Sequence, residues 1–228
     1  MLNKSLTSFR MAALGLAVAG SMMTTTQVMA EDAVEVAASA AVSSMYLWRG
    51  QDLGNGSPAV SGDLTVSTAG AYAGVWASSG DTSFGSEYDL YVGYGADLEG
   101  VTVDVSLWNY NYSGESSADT FGALTDLVVA IGMGPVTFTY YDNVAGASGA
   151  EYYTLEAGYE KFSAKLGYSD AEADDSDYTH LDLSYAYNDN LSFTVSKIVD
   201  NDGPKENDGG MNEDTLVMVS YSLPIDLK

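Results

Sequence analysis

His180, Asp182 and Ser184 occupy alternate positions of one short segment. A histidine, an acid and a serine on one face are the residue types of nucleophilic acyl transfer. On an exported β-protein that chemistry would be lipid hydrolysis, with His180, the single histidine of the chain, as the base. No Gly-x-Ser-x-Gly elbow, the turn that exposes a nucleophilic serine, accompanies Ser184. Alternation alone puts residues two apart on one face of a strand, so the spacing adds little, and a lone polar histidine is the stronger reading. No catalytic residue is assigned. Phosphate-loop and dinucleotide motifs are also missing, and no cofactor is implied.

Carboxylates are the larger population. The chain holds 32 acids against 8 Lys and Arg, a net charge of −24. Nucleic acid is excluded as a partner by the want of a basic patch. Two stretches, residues 170–177 and 200–210, collect acids densely and offer hard oxygen ligands of the kind Ca²⁺ or Mg²⁺ takes. Asp200-Asn201-Asp202-Gly203 resembles half of a calcium loop, but Met211 stands where the closing Glu belongs. Solvated acidic loops are the better reading, and no metal site is assigned. With no Cys, neither a disulfide nor a thiolate site is available.

The first thirty residues read as a secretory signal peptide. Lys4 and Arg10 make a basic start, 11–22 an uncharged apolar core, and Val28-Met29-Ala30 a cleavage site. The apolar core is shorter than the roughly 20 residues of a spanning helix. Cleavage would leave residues 31–228 as one domain with 32 acids and six bases, a net of −26. No later apolar run approaches a spanning helix, so a membrane form must use strands. In lipid that means a closed barrel, because an open edge leaves backbone groups unpaired.

Period-two alternation supplies those strands. From 87 to 98, Tyr88, Leu90, Val92, Tyr94, Ala96 and Leu98 oppose Glu87, Asp89, Tyr91, Gly93, Gly95 and Asp97. The same test predicts about twelve strands: 34–48, 58–68, 71–78, 87–98, 101–112, 124–133, 136–142, 151–159, 162–169, 178–187, 191–199 and 214–223. Short connectors (Ala69-Gly70, Glu99-Gly100, Gly134-Pro135, Glu160-Lys161 and 188–190) alternate with long ones (49–57, 79–86, 113–123, 143–150, 170–177 and 200–213). Long loops at one end, short turns at the other and an even strand count are the pattern of an outer-membrane barrel. On that reading Trp48-Arg49-Gly50 is the first exit from the membrane. Tyr46, Trp48, Tyr88, Tyr153 and Tyr168 would form an outer aromatic girdle, and Tyr159, Tyr185 and Tyr187 an inner one. Lys197 would face outward near the external end, either reaching lipopolysaccharide phosphates or marking an irregular register.

Tyr46, Arg49-Gly50 and Pro58-Ala59, followed by Ala71-Tyr72-Ala73-Gly74-Val75-Trp76-Ala77-Ser78, resemble the opening signature of the TorF family of proteobacterial porins. Residues 87–94 and Asp104 with Tyr110-Asn111-Tyr112 are similar to that family's next segments. The resemblance is specific over about 42–112 and colinear beyond. It implies a channel and supplies no catalytic residues. The end of the chain departs from the family habit of a terminal aromatic, leaving Tyr221 to stand in for it.

The expected fold is therefore an all-β, single transmembrane antiparallel barrel after a cleaved signal. At about 4.8 Å between strands and about 40° tilt, twelve strands give a backbone radius of about 12 Å. The inward phase carries Glu35, Asp63, Glu87, Asp89, Asp97, Asp104, Asp126, Glu156 and Asp182 with Arg49, Lys165 and His180, and these are the candidate pore-lining residues. An excess of carboxylate there would favour cations. The expected function is a narrow passive porin for small hydrophilic solutes, with outer-membrane lipids, lipopolysaccharide and small cations as partners. The alternative is a plugged barrel, in which Arg49 and Lys165 bridge the acids and the acidic loops serve a structural or adhesive role.

Overall fold

A computed structural model describes residues 34–114, 122–146, 149–171, 176–204 and 211–227. β1 (Glu35–Ser43) is followed by two short strands, β2 (Leu47–Trp48) and β3 (Gln51–Asp52), which pair only with each other. Eleven longer strands follow: β4 (Ala59–Thr68), β5 (Ala71–Ser78), β6 (Glu87–Leu98), β7 (Val101–Tyr112), β8 (Thr125–Met133), β9 (Val136–Ala145), β10 (Glu151–Tyr159), β11 (Phe162–Asp170), β12 (Tyr178–Ala186), β13 (Leu191–Asn201) and β14 (Leu216–Ile225). Each pairs antiparallel with its neighbour. β1 bridges β4 and β14, so twelve strands close into one barrel.

The turns explain the register. Ala69-Gly70 and Glu99-Gly100 both take positive φ at their two positions (48° and 87°; 57° and 94°). Two successive left-handed residues match the twist of paired strands and hold a two-residue hairpin. Register shifts occur at only two described places, Thr125/Asp126 in the β8–β9 ladder and Thr179/His180 in the β12–β13 ladder.

Polarity across the wall is the reverse of a water-soluble barrel. On β6 the outward Tyr88, Leu90, Val92 and Tyr94 are exposed, whereas Glu87 and Asp89 are each 3 % exposed. On β13 the outward Phe193, Val195 and Val199 are exposed, while Thr194, Ser196 and Ile198 are buried. Such an exterior has its low-energy surroundings in hydrocarbon, and a closed ladder leaves no strand edge to solvate there. No helix among the described residues is long and apolar enough to cross a membrane.

The strand pattern matches the sequence reading closely, with one substantive correction. The first strand stops at Ser43, not at 48. Ser43 Oγ donates to Met45 O (2.8 Å) and Ser44 N to Val219 O (2.9 Å) where the chain leaves the wall. Tyr46 and Leu47, consecutive residues, are then 2 % and 1 % exposed. A wall strand cannot bury both faces against lipid and lumen alike in this way. Trp48-Arg49-Gly50 is accordingly not an exit from the membrane; it is the tip of a hairpin folded into the barrel. Tyr46 and Trp48 therefore leave the outer girdle. Tyr88 and Tyr168 remain exposed on the outer wall, and Tyr159 and Tyr187 at the opposite end.

Candidate functional site

The hairpin is built locally. Arg49 (φ 47°) and Gly50 (φ 81°) are two successive left-handed residues between β2 and β3, the geometry of the tight two-residue hairpin, and Leu53 N closes it onto Tyr46 O at 2.9 Å. Asp52 caps the return, accepting from Gly54 N (2.9 Å) and Gly56 N (2.6 Å). Gly50 also has no room for a side chain, since a Cβ would fall within 2.6 Å of the His180 ring. Six residues from Ser44 to Arg49, at about 3.3 Å each, extend about 20 Å, most of a diameter of about 24 Å.

Arg49 reaches the opposite wall. Its Nη2 donates to Asp126 Oδ2 on β8 at 3.1 Å. The guanidinium lies over three rings, 4.3 Å from Trp48, 4.4 Å from Tyr152 on β10 and 5.2 Å from Tyr141 on β9. A flat, weakly hydrated cation suits both aromatic faces and a carboxylate. Tyr178 of β12 donates to Arg49 O (3.0 Å), and Gln51 Nε2 donates to Tyr178 Oη (2.9 Å). Beneath the tip, Val128, Tyr141 and Tyr152 form a buried cluster with Trp108 packed against it. At the hairpin root, Tyr46 stacks on Trp76 (6.3 Å) and donates to Glu87.

The other predicted lumen residues fall into small groups. Glu87 also accepts from Tyr112 (2.8 Å), Asp63 from Tyr91 (2.6 Å) and Thr65 (2.8 Å), and Asp104 from Tyr72 (2.7 Å). Asp126 accepts from Tyr110 (3.2 Å) and Asn143 (2.8 Å) as well as Arg49. Lys165 pairs with Glu156 at 3.4 Å and stands in register with Asp182. Glu35 and Asp97 lie apart from these, exposed at the short-turn end, where Asp97 caps Gly100 N. Asp89 is buried, and its Oδ1 has no hydrogen-bond partner among the described residues.

His180 is fully buried. Its Nδ1 meets Asp182 Oδ1 at 3.0 Å and its Nε2 meets Tyr152 Oη at 2.7 Å, while Ser196 donates to Asp182 (2.6 Å). Ser184 bonds instead to Thr194 Oγ1 (2.9 Å). Both ring nitrogens are committed elsewhere than to Ser184, so the three residues at alternate positions do not assemble a nucleophile and base.

Sequence reasoning missed the tyrosines that serve the acids, and the aromatic row Tyr72, Tyr91 and Trp108 (6.1 Å and 4.3 Å between successive centroids). The signal was present: Gly74 sits opposite Tyr91 in the β5–β6 register, and the Tyr91 ring occupies the space a Cβ there would need. Lys197 keeps the outward phase and donates to Glu213 O (3.3 Å), next to the β12–β13 register shift. In the acidic loops, Asp177 accepts from Tyr168 (3.0 Å) and Ala171 N (2.9 Å). Residues 172–175 and 205–210 of those loops lie outside the described residues, as does the signal segment. No group of three His, Cys, Asp or Glu suited to a metal occurs among the described residues.

A family model described as "Bacterial protein of unknown function (Gcw_chp)" matches residues 27–219. Among solved structures, the chain is similar to engineered variants of the Rh. blastica porin and to a chain titled "Asymmetric conductivity of engineered proteins". Each is 9 % identical, covers 85 % of this chain and 100 % of its own, and has a TM-score of 0.36. That score is too low to carry an argument about function. A search of curated proteins found no match.

Proposed function

The chain belongs to the Gcw_chp family of bacterial proteins, and we propose that it is an outer-membrane porin: a narrow, passive, cation-preferring channel for small hydrophilic solutes. The observation that carries this reading is the closed twelve-strand barrel with an apolar exterior and a polar, acid-rich interior crossed by one hairpin. A barrel of this size lies between the filled eight-strand and open sixteen-strand cases, so an internal segment of this length sets the bore. The acids Asp63, Glu87, Asp89, Asp104, Asp126, Glu156 and Asp182 outnumber Arg49 and Lys165 and would set a negative field along the path. Export through the signal peptide, residence in the outer membrane and contact with lipopolysaccharide belong to the same reading, and the TorF resemblance of 42–112 supports it.

Planar-bilayer current under a salt gradient tests it. Discrete steps with a cation-selective reversal potential are expected; silence from protein shown by heat-shifted gel mobility to be folded would overturn it. A second reading has its own observation. His180, Thr194 and Ser196 in the lumen have no solvent exposure, which favours a plugged barrel that works through its acidic loops, and silence would select it.

A further inference from the structure

Apart from Trp48, the groups that hold the Arg49 guanidinium belong to the wall, not to the hairpin. Tyr141 and Tyr152 are cross-strand partners with ring centroids 5.3 Å apart, and Asp126 sits on the next strand with its Oδ2 3.1 Å from the guanidinium. Asp89 on β6 stands in register with Tyr110 on β7, and the Tyr110 hydroxyl donates to Asp126 at 3.2 Å. Asp89 is 3 % exposed with Oδ1 unpartnered. A buried acceptor without a donor costs free energy that a ligand N–H would return.

We propose that the Tyr141, Tyr152, Asp126 and Asp89 wall is a recognition site for a guanidinium or alkylammonium solute, which displaces Arg49 and so unlatches the hairpin. Arg49 is the internal stand-in for that solute. A planar guanidinium stacks on tyrosine faces and pairs with a carboxylate through the same donors whether it is tethered or free. A free cation, not held by the hairpin, can also turn a donor toward Asp89, which Arg49 leaves unserved. The role of the site in selecting cargo rests on the channel reading above; the binding does not. Tethering holds Arg49 at an effective concentration on the order of millimolar, so in the wild-type protein a free solute competes only at millimolar levels.

The test is a titration of folded, full-length protein in detergent micelles with ethylguanidinium chloride. Ethylurea, its uncharged counterpart of like shape, is the control. Isothermal calorimetry reads affinity, and tryptophan fluorescence reads the site through Trp48 and Trp108. Arg49→Ala should bind ethylguanidinium at least about tenfold tighter than wild type, because the tethered competitor is gone. Adding Asp126→Asn or Asp89→Asn to that variant should weaken binding at least about tenfold, and ethylurea should not bind. Equal affinity in wild type and Arg49→Ala, or equal binding of ethylurea, would overturn the proposal. If Arg49→Ala lacks the heat-shifted band of a folded barrel, Arg49→Gln is titrated under the same two criteria. The same preparations in bilayers separate the two claims. Saturable binding without current keeps the site and removes the channel; current without binding does the reverse.

Discussion

At Arg49, three aromatic faces, one carboxylate and the hydroxyl of Tyr178 converge on a single residue. Removing one partner of a buried ion pair is costly because the other charge is left unpaired, on the order of 3–5 kcal/mol. Arg49→Ala should therefore lower the urea midpoint of the folded barrel clearly. Arg49→Ala with Asp126→Asn should cost less than the two single changes added together, and a double-mutant cycle measured in micelles checks it. His180 poses a different case. Its ring joins Tyr152 to Asp182 in a fully buried position, so His180→Ala strands a buried hydroxyl and takes one donor from a buried carboxylate that keeps Ser196. A loss of about 1–3 kcal/mol is expected, read from the same midpoints. Acquired esterase loss on that change, against a measurable wild-type activity, would instead revive the hydrolase chemistry that the Ser184–Thr194 bond argues against.

The element that matters most is the β2–β3 hairpin. Its turn demands positive φ at both central residues, and Gly50 in addition faces the His180 ring with no space for a Cβ. Gly50→Ala should unseat the tip while leaving the sequence of every wall strand unchanged. If the hairpin sets the bore, unitary conductance should rise several-fold in Gly50→Ala, and again when 46–53 is replaced by a short Gly/Ser link; single-channel recordings decide this. Unchanged conductance in both would mean that the current path does not pass the hairpin. The wall around it is redundant by comparison. Each barrel strand is paired on both sides, so changes to single outward residues should be absorbed, with charged substitutions at Leu90 or Val195 the exception because lipid does not solvate them.

On the scale of the whole molecule, the inner surface carries far more carboxylate than base, and many of those carboxylates are bonded to tyrosine hydroxyls instead of to cations. A phenol satisfies a lone pair but leaves the charge in place. The field in the lumen should thus stay negative, and the reversal potential should shift toward non-selectivity when Asp63 and Asp104 are both made Asn. Export makes a separate prediction: mass spectrometry of the outer-membrane fraction should find a mature chain beginning at Glu31.

How much of this was legible beforehand follows from the range of each interaction. Alternation is a property of neighbouring residues, and the tight turns Ala69-Gly70 and Glu99-Gly100 are specified by the two residues that form them. Strand limits, strand number and the inward phase of Glu87, Asp89, Asp126 and Asp182 could accordingly be read from the chain itself. The stretch 44–52 could not. Tyr46, Leu47 and Trp48 are apolar on both phases, so alternation continues the first strand through them. What turns them inward are partners 41 residues away at Glu87, 77 at Asp126 and 127 at Tyr178. Those partners lie across the lumen only once β1 has closed on β14. Local patterning determined the strands and their polar inward phase; closure alone decided that the first loop crosses the barrel, because only a closed wall brings those three strands within reach of one arginine and its hairpin.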